Sequence, residues 1–205
     1  MMPNMDGNEL CTRVKTNLDT CHIPFLILTA KVAQESILDS LRNGADDYIT
    51  KPFNSKILIS KCNNLVNTRI LLQQKFSKST SNASEAVATN EIDRAFINKA
   101  IDVVKSHITD SDFDVEKFAE EMALGRTRLF SKLKGVTGQT PNHFILTVRM
   151  KYAVGLFTNN PDISTSEVSY MSGFSSPSYF IRLFKNTYGK TPSEFRASLK
   201  DQNID

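Results

Sequence analysis

Two stretches of the chain repeat one another at a constant offset of 51 residues, and both carry polar and basic side chains. In the first stretch, the positions off the apolar face of a predicted helix are Arg126, Thr127, Arg128, Ser131 and Lys132. In the second stretch they are Ser178, Tyr179, Arg182 and Lys185. Arginine reads guanine through two hydrogen bonds, and hydroxyl groups bond base edges or phosphate. A surface of this kind, present twice, predicts a periodic ligand such as DNA.

The offset also suggests which side chains read sequence and which hold phosphate. It pairs Thr127 with Ser178 and Ser131 with Arg182, so equivalent sites carry hydrogen-bonding groups. Arg182 is the candidate for a bidentate contact to guanine O6 and N7. Four other basic residues are predicted to contact phosphate, which positions a protein without specifying sequence: Arg128, Lys132, Lys134 and Lys185.

Each stretch lies in a predicted helix-turn-helix unit. The first unit has helices over 115–122 and 126–134, with Asp114 as the N-cap of its first helix, and the second has helices over 165–171 and 176–185. Both units end in Gly-x-Thr-Pro, where Gly suits a left-handed helix end, Thr caps the next helix and Pro begins it. Residues predicted to face inward are Val115, Phe118, Ala119, Met122, Leu129, Phe130, Leu133, Val168 and Met171.

A long helix is predicted between the two units, over residues 141–159. Its length is about 30 Å, and the major groove of B-DNA recurs every 34 Å or so. Two recognition helices held this far apart can enter successive major grooves. The expected fold is therefore mostly α, and residues 90–205 form an all-α domain of two helix-turn-helix units joined by a long helix.

The first part of the chain has a different pattern, with the order helix–strand–helix–strand–helix. The predicted strands cover 24–29 and 47–50, and an amphipathic helix over 31–43 lies between them. Two strands cannot form a doubly wound sheet alone, so we expect an incomplete α/β segment. The Ser-, Thr-, Asn- and Ala-rich residues 77–89 are a predicted linker between this segment, residues 1–76, and the all-α domain.

Short motifs in the α/β segment resemble the second half of a response-regulator receiver domain, which has a flavodoxin-like fold. They are MMPNMDG at residues 1–7, the strand that ends in Thr29, and YITKPF at residues 48–53. The resemblance implies that Thr29, Tyr48 and Lys51 are the switch residues beside a phosphoryl group. The phospho-accepting aspartate and the magnesium ligands of this family precede these motifs. We therefore expect no phospho-acceptor, no metal site and no cofactor in this chain.

Residues 90–200 resemble the AraC-type DNA-binding domain, a homeodomain-like fold, most specifically in GFSSPSYFIRLFKNTYGKTPSEFR. The resemblance implies that Thr127, Ser131, Ser178 and Arg182 face bases. It implies backbone or flanking contacts for Arg126, Arg128, Lys132, Lys134, Tyr179 and Lys185. Family members often carry arginine at the position of Ser131, so we expect the second unit to dominate sequence readout.

A receiver segment followed by an AraC-type domain resembles the C-terminal end of a hybrid two-component regulator. The expected function is that of a sequence-specific DNA-binding transcription regulator at the output end of a phosphorelay. The alternative is a receiver or dimerisation fragment that has no DNA-binding function of its own. Expected partners are double-stranded DNA, a second copy through the receiver segment, and RNA polymerase. The expected location is the cytoplasm, with a full-length parent anchored in the inner membrane.

Composition supports a regulator over an enzyme. Residues 125–200 contain eleven Lys and Arg against three Asp and Glu, whereas residues 91–121 contain four against nine. The basic excess coincides with the repeated part, as expected of a nucleic-acid surface. The three histidines and three cysteines are scattered without catalytic or metal-ligand spacing, so no enzyme is expected. No apolar run reaches the roughly 18–20 residues that a membrane span needs.

Overall fold

The computed structural model describes residues 5–30, 38, 41–79, 87–160 and 162–202. Residues 1–4 of the first receiver motif, most of the predicted helix 31–43 and residues 80–86 of the predicted linker lie outside this description. The described elements are α1 Gly7–Thr16, β1 Leu26–Thr29, β2 Asp47–Thr50, α2 Ser55–Lys78, α3 Glu91–Ser106, α4 Val115–Glu121, α5 Arg126–Thr137, α6 Pro141–Asn159, α7 Thr165–Met171, α8 Pro177–Tyr188 and α9 Pro192–Gln202. Helices dominate, which confirms the predicted fold class.

The receiver segment contains a small parallel sheet of β1 and β2. Thr29 at the end of β1 pairs with Thr50 at the end of β2. The buried core beside this sheet consists of Cys11, Ile27 and Ala45. Leu28 points away from that core and is 41% exposed. The described residues of the segment therefore bury little apolar surface among themselves, as expected of an incomplete α/β unit.

Helix α2 begins in the receiver segment and ends inside the core of the C-terminal domain. It continues to Lys78, two residues into the predicted linker. Phe76, just before that linker, and Val87, near its end, are fully buried in the same core. The Phe76 ring lies 5.9 Å from that of Phe144 on α6. Lys151, also on α6, donates a hydrogen bond from Nζ to the Phe76 carbonyl at 2.7 Å. The last turn of α2 is thus part of the first helix-turn-helix unit's core.

Helix α6 joins the two helix-turn-helix units and supplies side chains to both of their cores. Phe144, Ile145 and Val148 belong to the first core. The second core contains Ala153, Val154 and Phe157. A helix with apolar residues on most of its sides is expected to be buried on most of them. The predicted bounds 141–159 agree with the observed ones.

A second contact between the units involves the turn after α7. Gly173 has a left-handed φ of 75°. A Cβ at this position would lie 2.3 Å from the carbonyl oxygen of Ile108, which follows α3. Arg149 on α6 donates a hydrogen bond to the nearby Asp110 carbonyl. Gly173 therefore allows the second unit's turn to pack directly on the backbone of the first.

Candidate nucleic-acid interface

The turns of the two helix-turn-helix units have the same backbone hydrogen bonds. Leu124 N bonds to Ala119 O, and Phe174 N bonds to Ser169 O, both at 3.0 Å. These pairs are offset by 50 residues, whereas the recognition helices α5 and α8 are offset by 51. The second turn thus contains one extra residue. The left-handed residue of each turn is Ala123, with φ 55°, in the first unit and Gly173 in the second.

The predicted caps are confirmed in both units. Asp114 accepts hydrogen bonds from Glu116 N and Lys117 N at the start of α4. Gly138 and Gly189 end α5 and α8 in the left-handed conformation. In the next element, Thr140 accepts from His143 N, and Thr191 accepts from Glu194 N. Because Gly-x-Thr-Pro ends each recognition helix and begins the next helix, α5 and α8 hold equivalent places in their units.

One face of each recognition helix is exposed and carries most of the predicted contacts. In α5 the exposed side chains at this face include Thr127, Ser131 and Lys134, and in α8 they include Ser178, Arg182 and Lys185. Residues spaced by three, four and seven positions lie on the same side of a helix. The structure therefore brings the four predicted base contacts together with one lysine in each unit, in two equivalent stripes.

Two residues that were predicted to face inward are exposed. Phe130 lies on the open stripe of α5 and is 45% exposed, and Met171 at the end of α7 is 37% exposed. Ile181, at the position of α8 equivalent to Phe130, is also exposed, at 38%. The inward prediction was wrong because Phe130 follows the buried Leu129 by one residue, a rotation of about 100° around the helix.

Lys132 was predicted to contact DNA phosphate, and this prediction is wrong. Its side chain is fully buried, and its Nζ forms an ion pair with the buried Asp93 carboxylate at 2.6 Å. Lys132 follows Leu129 by three residues and precedes Val136 by four, so it lies on their inward side of α5. The equivalent residue of the second unit, Leu183, is apolar and packs against the second core. This equivalence was the sequence signal that Lys132 faces inward.

Three other predicted flanking contacts, namely Arg126, Arg128 and Tyr179, have intramolecular partners at the surface. Arg126 pairs with Glu116 at 2.5 Å, and Arg128 pairs with Asp19 of the receiver segment at 2.6 Å. The Arg182 guanidinium carbon lies 5.6 Å from the centre of the Tyr179 ring. Exposed ion pairs contribute little stability and exchange easily for phosphate. These side chains thus stay available to an anionic ligand.

The receiver segment covers the side of α5 that adjoins the core. Cys21 donates from Sγ to Asp93 and accepts from Lys132 Nζ at 3.1 Å. Burial raises the pKa of the Cys21 thiol, and it lowers the pKa of the His22 imidazole. Both groups are therefore neutral at pH 7.

Helix α2 contacts the same side of α5 through the Gly135 carbonyl. Arg69 donates to this oxygen from two nitrogens, and Gln73 donates from Nε2 at 3.0 Å. A side chain at Gly135 would collide with His22, whose Nε2 lies 2.1 Å from the position of an added Cβ. Recognition helix α5 is thus held from one side by the receiver segment while its predicted base-contact stripe stays open.

The three predicted switch residues lie in and beside the small sheet. Thr29 and Lys51 meet at the carboxyl end of the strands, where Lys51 N bonds to Thr29 O at 2.7 Å. Tyr48 lies within β2, and Lys61 Nζ approaches its ring to 5.7 Å from the centre. Among the described residues, no group of three or more His, Cys, Asp or Glu is placed to hold a metal ion. None of the helices described is long and apolar enough to cross a membrane.

Comparisons with known proteins match each part of the chain separately. Residues 1–63 match the family model of the response regulator receiver domain, and residues 118–198 match that of a helix-turn-helix domain. Over 202 residues the chain is 36% identical to Histidine kinase P4 of Formosa agariphila, covering 98% of this chain and 15% of the kinase. It is 29% identical over 159 residues to the transcriptional regulatory protein SpaR of Bacillus subtilis, covering 74% of this chain and 67% of SpaR.

A solved AraC-type transcriptional regulator from Chromobacterium violaceum is also similar, with 23% identity and a TM-score of 0.49, covering 54% of this chain and 96% of that one. The two family models match the two structurally different parts of the chain, and the kinase alignment spans both parts. The chain therefore joins a segment that is similar to a response regulator receiver domain, residues 1–63, to one that is similar to a helix-turn-helix domain, residues 118–198.

Proposed function

We propose that the chain binds double-stranded DNA sequence-specifically and places α5 and α8 in successive major grooves. The observation that carries this proposal is the pair of equivalent exposed stripes on the two recognition helices. Helix α6 between them has 19 residues, a length of about 28 Å, comparable to the 34–36 Å between half-sites of paired helix-turn-helix units. One face of the domain can thus meet two turns of the duplex.

The side chains on the stripes have distinct roles in this proposal. Thr127, Ser131 and Ser178 hydrogen-bond base edges, and Arg182 pairs with guanine O6 and N7. The Tyr179 ring beside the guanidinium restricts its orientation, which favours a planar bidentate contact. The phosphate and flanking contacts are Arg126, Arg128, Lys134, Tyr179 and Lys185. Lys132 has no part in the interface, because its charge is neutralised inside the fold.

Finer features of the proposal concern the larger assembly. We place the chain at the cytoplasmic output end of a longer, membrane-anchored parent, and the alignment to 15% of a histidine kinase supports the longer parent. Exposed apolar side chains along α2, including Ile57, Ile59 and Val66, support pairing of two receiver segments. Sedimentation of the chain with and without DNA tests this pairing, and RNA polymerase is the further partner that a transcription regulator would contact.

Selection from a randomised duplex library, followed by fluorescence anisotropy, tests the DNA proposal. Arg182→Ala should relax preference at one G·C pair, which corresponds to about 1–3 kcal/mol of discrimination. Lys134→Ala should weaken all sequences alike and reduce the salt slope by about one. Lys56→Ala, an exposed lysine at the start of α2, is the matched control and should change neither. An unchanged sequence profile for Arg182→Ala would refute the base contact.

Absence of DNA binding at low salt would favour the alternative function, a receiver or dimerisation fragment. In that case the chain should still sediment as a dimer or pair with an intact receiver domain. Sequence-specific binding by the monomeric chain would exclude that alternative.

A further inference from the structure

Each recognition helix carries one exposed apolar side chain without polar atoms on its open stripe. Phe130 on α5 is 45% exposed and Ile181 on α8 is 38% exposed. A single exposed apolar residue is ordinary on a protein surface. These two, however, are separated by the same 51 residues that relate the proposed base contacts. Their exposure thus belongs to the repeated surface rather than to one irregular site.

The neighbours of both side chains are polar in the same order. Phe130 lies three residues after Thr127 and four before Lys134, and Ile181 lies three after Ser178 and four before Lys185. Positions three and four apart are adjacent on a helix surface. Each apolar group is therefore bordered by a hydroxyl on one side and a cation on the other. Such a stripe fits a ligand on which apolar groups alternate with hydrogen-bonding and anionic groups.

The major groove of DNA offers that alternation. Its floor presents hydrogen-bonding base edges and one apolar group, the C5-methyl of thymine, between two phosphate backbones. Resting on the proposed DNA binding, we infer that Phe130 and Ile181 contact thymine methyl groups, so that each half-site includes a preferred A·T pair. This gives α5 a means of reading sequence where Ser131 lacks the guanidinium that Arg182 supplies to α8.

The size of the effect follows from the small area involved. Burial of one methyl-sized group contributes about fourfold in affinity. Each thymine contact is therefore weaker than the guanine contact of Arg182, and it is detectable only at single-pair resolution. Replacement of thymine by deoxyuridine removes the methyl group and leaves every hydrogen-bonding group in place.

The experiment uses the full chain and its preferred duplex from the library selection. Deoxyuridine replaces each thymine in turn, and anisotropy gives the dissociation constant of every duplex. We expect about fourfold weaker binding at one thymine in each half-site. Phe130→Ala should abolish this sensitivity in one half-site only, and Ile181→Ala should abolish it in the other. Phe130→Leu, which keeps an apolar side chain, should retain part of it.

Matched controls come from exposed apolar residues outside the recognition helices. Phe53→Ala and Leu10→Ala alter side chains that are 36% and 40% exposed, and both should keep the two sensitivities. If the unmodified chain binds its preferred duplex specifically and no deoxyuridine replacement changes the dissociation constant, the inference is overturned and the proposed function stays intact. Phe130→Ala and Ile181→Ala variants that keep the full sensitivity to deoxyuridine would also overturn the inference and leave the proposed function intact. Absence of binding to any duplex would overturn both.

Discussion

Replacement of Lys132 by leucine separates a buried structural lysine from a surface lysine that contacts DNA. The second unit carries Leu183 at the equivalent position, so leucine suits the local helix geometry. The substitution leaves the Asp93 carboxylate, which is 0% exposed, without the ammonium that lies 2.6 Å away. A charge left without its partner in the interior is strongly unfavourable.

The expected cost can be worked from the surroundings of Asp93. Removal of one partner of a buried ion pair costs about 3–5 kcal/mol. Asn90 still donates to Asp93 at 2.9 Å, and Arg69 still lies 4.0 Å away. These two groups compensate part of the charge, so we expect the lower end of the range, about 3 kcal/mol. For a chain of this size that lowers the melting temperature by about 6–12 °C.

Urea unfolding followed by circular dichroism measures this loss. Asp93→Asn should also destabilise, and the double variant should lose less than the two single variants added together, because neither charge is then buried alone. Lys134→Leu is the control, since this exposed neighbour on α5 should change the free energy of unfolding by less than about 0.5 kcal/mol. A Lys132→Leu variant as stable as Lys134→Leu would refute the buried placement.

Two further substitutions test the junction between the units and the buried lysine of α6. Gly173→Ala should cost at least about 2 kcal/mol, since alanine disfavours the left-handed backbone and its Cβ would meet the Ile108 carbonyl. Gly155→Ala, with open space around it, should instead stabilise by about 0.5–1 kcal/mol. Burial lowers the pKa of Lys151 to about 8 from 10.5. The unfolded chain thus keeps this proton longer, and the free energy of unfolding should rise between pH 8 and 10.5 by up to about 3 kcal/mol. Lys151→Met should remove that rise. Equal slopes of the free energy of unfolding against pH in the two proteins would contradict this prediction.

Local sequence signals predicted the helical domain well. The predicted ranges of α6 and α7 agree with the structure, because apolar spacing marked each helix and Gly-x-Thr-Pro marked the boundary between α5 and α6. The caps at Asp114, Thr140 and Thr191 were predicted for the same reason. A cap depends on residues within three positions of one another, so the sequence contains all the information it needs.

A single repeat offset did not describe the turns. The recognition helices are related by 51 residues, but the equivalent turn bonds are related by 50. In the first unit the left-handed position holds Ala123, not glycine. Because alanine gives no sign of this conformation in a sequence, the one-residue difference emerges only from the hydrogen bonds of the structure.

Local sequence patterns do not predict the contacts between the receiver segment and α5. Asp19 pairs with Arg128 across 109 residues of sequence, and Cys21 meets Lys132 across 111. Asp19 and Arg128 resemble solvated surface positions, and no periodicity reveals that they pair. Composition assigned residues 77–89 to a linker, whereas Val87 of this linker is buried in the same core as Phe76, which precedes it.

The two units therefore have similar backbones, while the residue type at an equivalent buried position depends on the element that packs against it. At the inward edge of α5, the neighbouring element α3 presents the Asp93 carboxylate, and a lysine there neutralises it. At the same edge of α8, the neighbours form the aromatic and aliphatic second core, and leucine fills the position. On the open stripes, by contrast, no intramolecular core dictates the residue type, yet hydroxyl, apolar and basic groups recur in order. Recurrence is thus expected where the two helices meet a common ligand, and divergence where each meets its own surroundings.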